Sequence, residues 1–225
     1  MTDDNLLERV RQLRAAGTAP KQIARILGVA PSVVAPMVRA VAADQAASII
    51  EPTVVGCWIS GGWSAGLAVD PPGRWSDGGG AEAGGEGLVG VLVARRHRFD
   101  KVTVCGYLVD AYCLGVKNTT GPQIMGEVAL REYRSLFFSA FGSSHPADLD
   151  LAQHMVLGAV EYARNLGFEP HPDFVDTAGH LGSWTGPSAI TFGQNGRPFY
   201  ISGPHDDISK IARTLQRAVE QGQSS

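Results

Sequence analysis

The stretch from Asp110 to Lys117, DAYCLGVK, places an acid, a thiol and a cation directly after an apolar run that predicts a β-strand. Strand ends and the loops that follow them commonly carry binding and catalytic groups. A nucleophilic Cys113 with His154 or His171 as its base would have the residue types of acyl-transfer enzymes. The candidate catalytic residues are therefore Asp110, Cys113, Lys117, His154 and His171.

The same residues also suit structural roles. Asp110 would then cap a turn, Cys113 would be a small buried hydrophobe, and Lys117 would be solvated. His154 lies on the less apolar side of a predicted helix, together with Gly158, and glycine inside a helix costs about 1 kcal/mol relative to alanine. Another helix or a ligand is therefore expected to pack closely against Gly158. Residue types alone leave catalysis and packing both open.

Other binding chemistries have weaker support. A zinc site has suitable ligand types but no local pair spacing; its candidates are Cys57, Cys113, His154 and His171. The glycine-rich stretch 70–87 lacks both the GxxxxGK[ST] pattern and a following lysine, so it does not predict a phosphate-binding loop. Acidic residues in SGPHDD, at the start of a predicted helix, would cap that helix and repel an anion. We therefore predict neither a metal nor a cofactor.

The elements that must position these residues begin with two hairpins. Apolar runs at 88–94 and 102–109, joined by a charged connection, predict an antiparallel pair. Asn195-Gly196 between 190–192 and 199–201 predicts a second hairpin, because this dipeptide favours turns with positive φ.

Helices are predicted over about 124–141, 149–166 and 208–220 from apolar spacing and capping residues. The expected fold class is α+β: an N-terminal tri-helical helix-turn-helix, then an antiparallel sheet of hairpins packed on one face by about three helices.

The helix-turn-helix is predicted over residues 5–43. In KQIARILGVAPSVVAPMVRAV, Gly28 stands at the turn and Ala24 at the close helix contact. Apolar residues follow at helical spacing on the inner face: Ile23, Leu27, Val29, Val34 and Met37. An earlier segment with Leu6, Leu7, Val10 and Leu13 predicts the third helix.

The surface available to read DNA is poor. Base edges are recognised by polar and charged side chains in the major groove, and the second helix of the pair exposes mainly alanine and proline. The candidate nucleic-acid-binding residues are Lys21, Arg25, Ser32 and Arg39. Residues 1–50 have a net charge of only +2, a weak footprint for phosphate binding. Nucleic-acid contact of low specificity and protein docking both remain open.

Length and composition indicate one ordinary domain plus a small module, since the chain has 225 residues and 44% hydrophobic content. An alanine-rich segment before Glu51-Pro52 predicts a boundary between a module at 1–50 and an α+β domain at 51–225. The stretch 70–87 is expected to be a flexible surface loop. The overall charge of −3 leaves −5 on the larger domain, which argues against a broad nucleic-acid surface there.

Localisation follows from what the chain contains. No stretch approaches the roughly 18 apolar residues of a membrane span, and MTDDNLLERV does not resemble a signal peptide. The three cysteines lack CxxC spacing, which favours reduced thiols. We expect a cytoplasmic protein that does not bind membranes.

The larger domain contains the runs YLVDAYCLGVKNT, HMVLGAVEYARNLGFEPHPDF and FGQNGRPFYISGPHDD. Together they resemble an uncharacterised bacterial family whose domain occurs alone or attached to other modules. The family has no established activity, so the resemblance implies no catalytic residues.

The favoured hypothesis is a helix-turn-helix regulatory or nucleic-acid-associated binding protein with weak intrinsic sequence readout. One alternative is a hydrolase or transferase that uses Cys113. Another is a protein-docking adaptor. The partners considered are DNA, bound by the N-terminal module, and a protein partner or second copy of the chain.

Overall fold

The computed structural model describes residues 3–15, 18–38, 52–78, 86–204, 206–220 and 222. The chain divides into two compact units, residues 1–51 and 52–225. The division lies one residue after the predicted boundary. No helix in the described ranges is both long and apolar enough to cross a membrane.

The described residues of the N-terminal unit form three short helices around a small apolar core. They are α1 (Asp3–Ala15), α2 (Pro20–Leu27) and α3 (31–38). Val10, Ile23, Ala24 and Val34 are buried together, one or two from each helix. Residues 39–43 of the predicted module lie outside the described residues.

The turn between α2 and α3 depends on Gly28. Its φ of 66° is in the left-handed region, where glycine is favoured. The N–H of Val29 donates to the carbonyl of Ala24 at 3.1 Å, and the N–H of Gly28 donates to that of Arg25 at 3.4 Å. This pair of bonds is a Schellman motif, and it ends α2 where the sequence predicts a turn.

The larger unit is built on a five-stranded sheet with the order β5-β4-β3-β1-β6, in which all neighbours are antiparallel. Its strands are β1 (Val54–Ser60), β3 (Leu88–Arg96), β4 (Val102–Asp110), β5 (Gly115–Met125) and β6 (Ser144–Pro146). A separate two-stranded sheet pairs β2 (Ala68–Val69) with β7 (Ile190–Thr191). The mixed α+β class is confirmed.

Helices cover both faces of the five-stranded sheet. Neighbouring residues of a strand face opposite sides of a sheet. Val91 is buried in an apolar cluster with residues of α5 (Leu149–Asn165), whereas Leu92 is buried in a second cluster beside α4 (Glu127–Phe137). The prediction that helices pack on one face is therefore wrong. The physical reason is visible in β3, whose run LVGVLVA is apolar on both sides, as expected of a strand buried between two layers.

The predicted helices are found with small shifts. α5 matches the prediction to within one residue, and α7 (Ile208–Glu220) matches it at both ends. α4 begins three residues later than predicted because β5 continues to Met125. A 3-10 turn at Ser139–Phe141 follows α4, and a short helix α6 (Phe174–Thr177) was not predicted.

The second predicted hairpin forms only as a turn. Asn195 and Gly196 have φ of 54° and 79°, and a single bridge joins Gln194 to Arg197. Residues 199–201 form no strand, and β7 pairs with β2 instead. The turn chemistry is local, whereas the choice of strand partner depends on residues more than a hundred positions away.

The first part of the glycine-rich stretch is packed against the larger core. Trp75 contacts Trp63 with ring centroids 6.3 Å apart. The Asp77 carboxylate accepts hydrogen bonds from the N–H groups of Gly62 and Ser64, both at 2.9 Å. Residues 70–78 are therefore mostly exposed, as predicted for a surface loop, but Trp75 and Asp77 attach them to the domain. Residues 79–85 lie outside the described residues.

Candidate functional site

Asp110 organises the turn between β4 and β5. Its side chain is buried, and Oδ1 accepts the N–H groups of Tyr112 at 3.0 Å and Cys113 at 2.9 Å. Burial raises the pKa of Asp110, and these backbone donors and the charge of Lys117 oppose that rise. The geometry is that of a turn-capping carboxylate.

Cys113 lies in the interior with no exposed surface. Burial raises the pKa of its thiol to about 12, the Asp110 charge adds to the rise, and Lys117 opposes it. A thiol nucleophile needs an accessible sulfur and a lowered pKa, and Cys113 has neither. All three cysteines are free and buried.

Lys117 forms an ion pair with Asp206, with 2.9 Å between Nζ and Oδ2. The two side chains are only 18% and 11% exposed, so Lys117 is not the solvated lysine of the structural alternative. Asp206 Oδ2 also accepts the hydroxyl of Tyr200 at 3.1 Å and the N–H of Gly203 at 2.8 Å. Burial alone would raise the pKa of Asp206, but these donors, Lys117 foremost, outweigh it and lower the pKa.

A cleft of about 520 Å³ lies beside this ion pair, between β5, the segment after α5 and the start of α7. In the described part of the chain, its ionisable side chains are Lys117, Glu169, His171, Asp206, Asp207 and Lys210. The cleft thus brings together two predicted site residues, Lys117 and His171. Cys113 is not among its lining residues.

His154 lies in a different environment on α5. The N–H of Ala189 donates to its Nδ1 at 2.8 Å, so the neutral ring carries its proton on Nε2, which is 3.6 Å from Asp150 Oδ1. Burial lowers the pKa of His154, Asp150 opposes this, and Arg74 lowers the pKa further. None of the hydrogen-bond or ion-pair partners of His154 is another predicted catalytic residue, so the five residues do not form one site.

Aromatic rings surround His154. The centroid of its ring is 5.2 Å from that of Trp75 and 6.0 Å from that of Trp184. The buried indole N–H groups of Trp63 and Trp184 have no acceptor within the described part of the chain.

Gly158, one turn along α5 from His154, is explained by packing. A β-carbon added there would lie 2.5 Å from the β-carbon of Ser188 and 2.9 Å from the Phe192 ring. The segment before β7 therefore crosses α5 at the glycine. Packing explains the glycine, but the packing partner is a non-helical segment and not the helix that we expected.

The candidate nucleic-acid-binding residues are partly described. Arg25 on α2 and Ser32 on α3 are exposed. Lys21 belongs to α2, but its side chain is not described, and Arg39 lies outside the described residues.

An apolar cleft of about 510 Å³ was missed at the sequence level. It lies on the sheet face beside α4 and is lined by Glu86, Leu88, Gly106, Leu108, Asn118, Thr119, Thr120, Phe137, Ala140 and Phe141. The signals in the sequence are the single glycines at 90 and 106 inside apolar strands and the aromatic run 137–141. Their meaning depends on the strand register, which the sequence does not supply.

Among the residues that the structure describes, no group of three or more His, Cys, Asp or Glu side chains could hold a metal ion. The four candidate zinc ligands therefore do not assemble.

The chain matches no protein-family model, no curated protein and no solved structure. Its resemblance to an uncharacterised bacterial family stays an expectation.

Proposed function

We propose that this chain is a nucleic-acid-associated regulatory protein whose N-terminal unit contacts DNA with little sequence preference. The observation that supports this most is the α2–α3 pair. Its glycine turn is closed by a Schellman motif, and Ala24 and Val34 are buried in one core. Two short helices joined by such a turn are the arrangement that presents a second helix to a DNA groove.

Weak specificity follows from the side chains available. Arg25 and Ser32 are exposed polar groups on the pair, whereas Pro31, Ala35 and Pro36 expose little that can bind a base edge. Phosphate contacts would supply most of the affinity, because they depend on charge and not on base sequence.

A protein-docking role is the second candidate. Ile26 on α2 is 58% exposed and Val33 on α3 is 41% exposed. Apolar side chains at these positions would suit a protein partner or a second copy better than phosphates. A hydrolase or transferase that uses Cys113 has less support, because the Cys113 thiol is buried and its pKa is raised.

Fluorescence anisotropy with the full-length protein and two unrelated duplexes tests the proposal at 50 and 200 mM salt. For two to four phosphate contacts, affinity should fall about 10- to 150-fold between these salt concentrations. The two duplexes should differ by less than about threefold. Arg25→Ala should weaken binding to both, while Arg213→Ala, an exposed arginine of the larger unit, should not.

No binding at the lower salt concentration would reject the nucleic-acid role and favour docking. If Ile26→Ser and Val33→Ser then changed the oligomeric state seen by light scattering, the docking surface would lie on the α2–α3 pair.

A further inference from the structure

The apolar cleft beside α4, here the sheet–α4 cleft, is formed by glycines that admit aromatic rings. A β-carbon added at Gly106 would lie 2.6 Å from the Phe137 ring, and one added at Gly90 would lie 2.8 Å from the Phe141 ring. Both rings therefore lie close to the strand backbone and form one wall. Leu88 and Leu108, on the same sheet face as these glycines, also line the cleft.

The size and lining of the sheet–α4 cleft match a small-molecule site. Such sites have volumes of about 300–1,000 Å³ and mainly apolar walls with few polar groups. This cleft has about 510 Å³, and Leu88 leaves 38% of its surface exposed at its edge. A ligand that covered these side chains would remove apolar surface from water.

The polar groups of the cleft select the charge of the ligand. Asn118 Oδ1 accepts the N–H of Thr119 at 2.8 Å, and the hydroxyls of Thr120 and Tyr133 pair at 2.7 Å. Glu86 is the one charged side chain that lines the cleft within the described part of the chain. A carboxylate among these otherwise uncharged lining side chains favours a cation.

We infer that the sheet–α4 cleft binds a small hydrophobic organic cation. Its aromatic or aliphatic body lies between Leu108 and Phe137, and its ammonium group lies toward Glu86. This site is independent of the proposed DNA contact, which belongs to the other unit.

Binding to the full-length protein is measured by isothermal titration with three probes that share one skeleton: phenylbutylamine, phenylbutanol and phenylbutyrate. The amine should bind about two- to fivefold more tightly than the alcohol, the size of an exposed ion pair, and the acid should bind most weakly. Glu86→Gln should abolish the preference for the amine and leave the affinity for the alcohol unchanged.

Ala140→Trp should fill the cleft and remove binding of all three probes, because Ala140 is exposed and lines it. Val128→Trp is the matched control, since Val128 is 62% exposed on α4 but does not line the cleft. Thermal unfolding verifies that each variant is folded.

Unchanged binding by folded Ala140→Trp would place the probes elsewhere and overturn the inference. Equal affinities of the three probes would overturn the cation assignment. A dimer that Ala140→Trp dissociates, detected by light scattering, would show that a second copy covers the cleft.

Discussion

Lys117 on β5 and Asp206 before α7 form a largely buried ion pair, although 89 positions separate them in the chain. Removing one member leaves the other charge buried without its partner, which is more destabilising than removing an exposed pair. We expect Lys117→Ala to lower the free energy of unfolding by about 2–3 kcal/mol, somewhat less than for a fully buried pair. Urea unfolding measures this.

Lys210→Ala is the control for this change, because Lys210 lines the same cleft as Lys117 but is exposed. It should alter the free energy of unfolding by less than about 0.5 kcal/mol. Equal effects of the two substitutions would contradict a structural role for the Lys117–Asp206 pair.

The cysteines should react slowly with a thiol reagent at neutral pH. All three are buried, and burial raises the pKa of Cys57 and Cys113 to about 12 and that of Cys105 to about 11. Labelling should become rapid in urea, where the sulfurs are exposed. Mass spectrometry of the labelled native protein distinguishes the three sites, and fast labelling confined to Cys113 would restore the enzyme hypothesis.

Stability should decrease as the pH falls below about 6.5, the ordinary pKa of histidine in an unfolded chain. The pKa of His154 is lowered in the folded state, so the unfolded state binds its proton first. The stabilisation is complete above the unfolded pKa and is lost as the pH falls through the folded pKa. Protonation of Nδ1 would also remove the acceptor for the Ala189 N–H.

His154→Asn tests this assignment, because the asparagine oxygen can accept the Ala189 N–H and does not titrate. Urea unfolding from pH 7.5 to 5.5 should show a smaller loss of stability in the variant than in the native protein. His180, whose pKa is also lowered, is present in both proteins, so their difference reports on His154. Identical pH dependences would exclude His154 as the cause.

Gly158→Ala should destabilise the protein although alanine is the better helix former. The added β-carbon would lie 2.5 Å from that of Ser188, and overpacking of this kind costs about 1–3 kcal/mol. Gly179→Ala is the control, since nothing lies within 4 Å of its added β-carbon. A Gly158→Ala protein that is more stable by urea unfolding would show that the crossing segment moves aside.

Local patterns were sufficient for α5 and for the β3–β4 hairpin, where apolar spacing extends over whole elements and the connection is short. They were insufficient for β5, whose stretch KNTTGPQ is polar and contains glycine and proline. That strand forms because β4 provides a backbone ladder along its length. A strand that forms in this way depends on its neighbouring strand, so the residues of the segment alone do not predict it.

Local patterns were also insufficient for the candidate site, because they do not predict which distant side chains lie together. The residue types suggest one catalytic set formed by Asp110, Cys113, Lys117 and the two histidines. The strand register and the position of α5 instead place these residues in different surroundings. Asp110 forms a turn, Lys117 pairs with Asp206, and His154 contacts tryptophans. Distances between side chains decide chemistry, and residue types do not report them.

The contact of His154 with Trp75 and Trp184 gives the protein an internal optical reporter. A protonated imidazole quenches the emission of an indole that it touches, and a neutral imidazole does so much less. These two residues are half of the four tryptophans in the chain. The intrinsic fluorescence of the folded protein should therefore follow the protonation of a single histidine, without any label being attached.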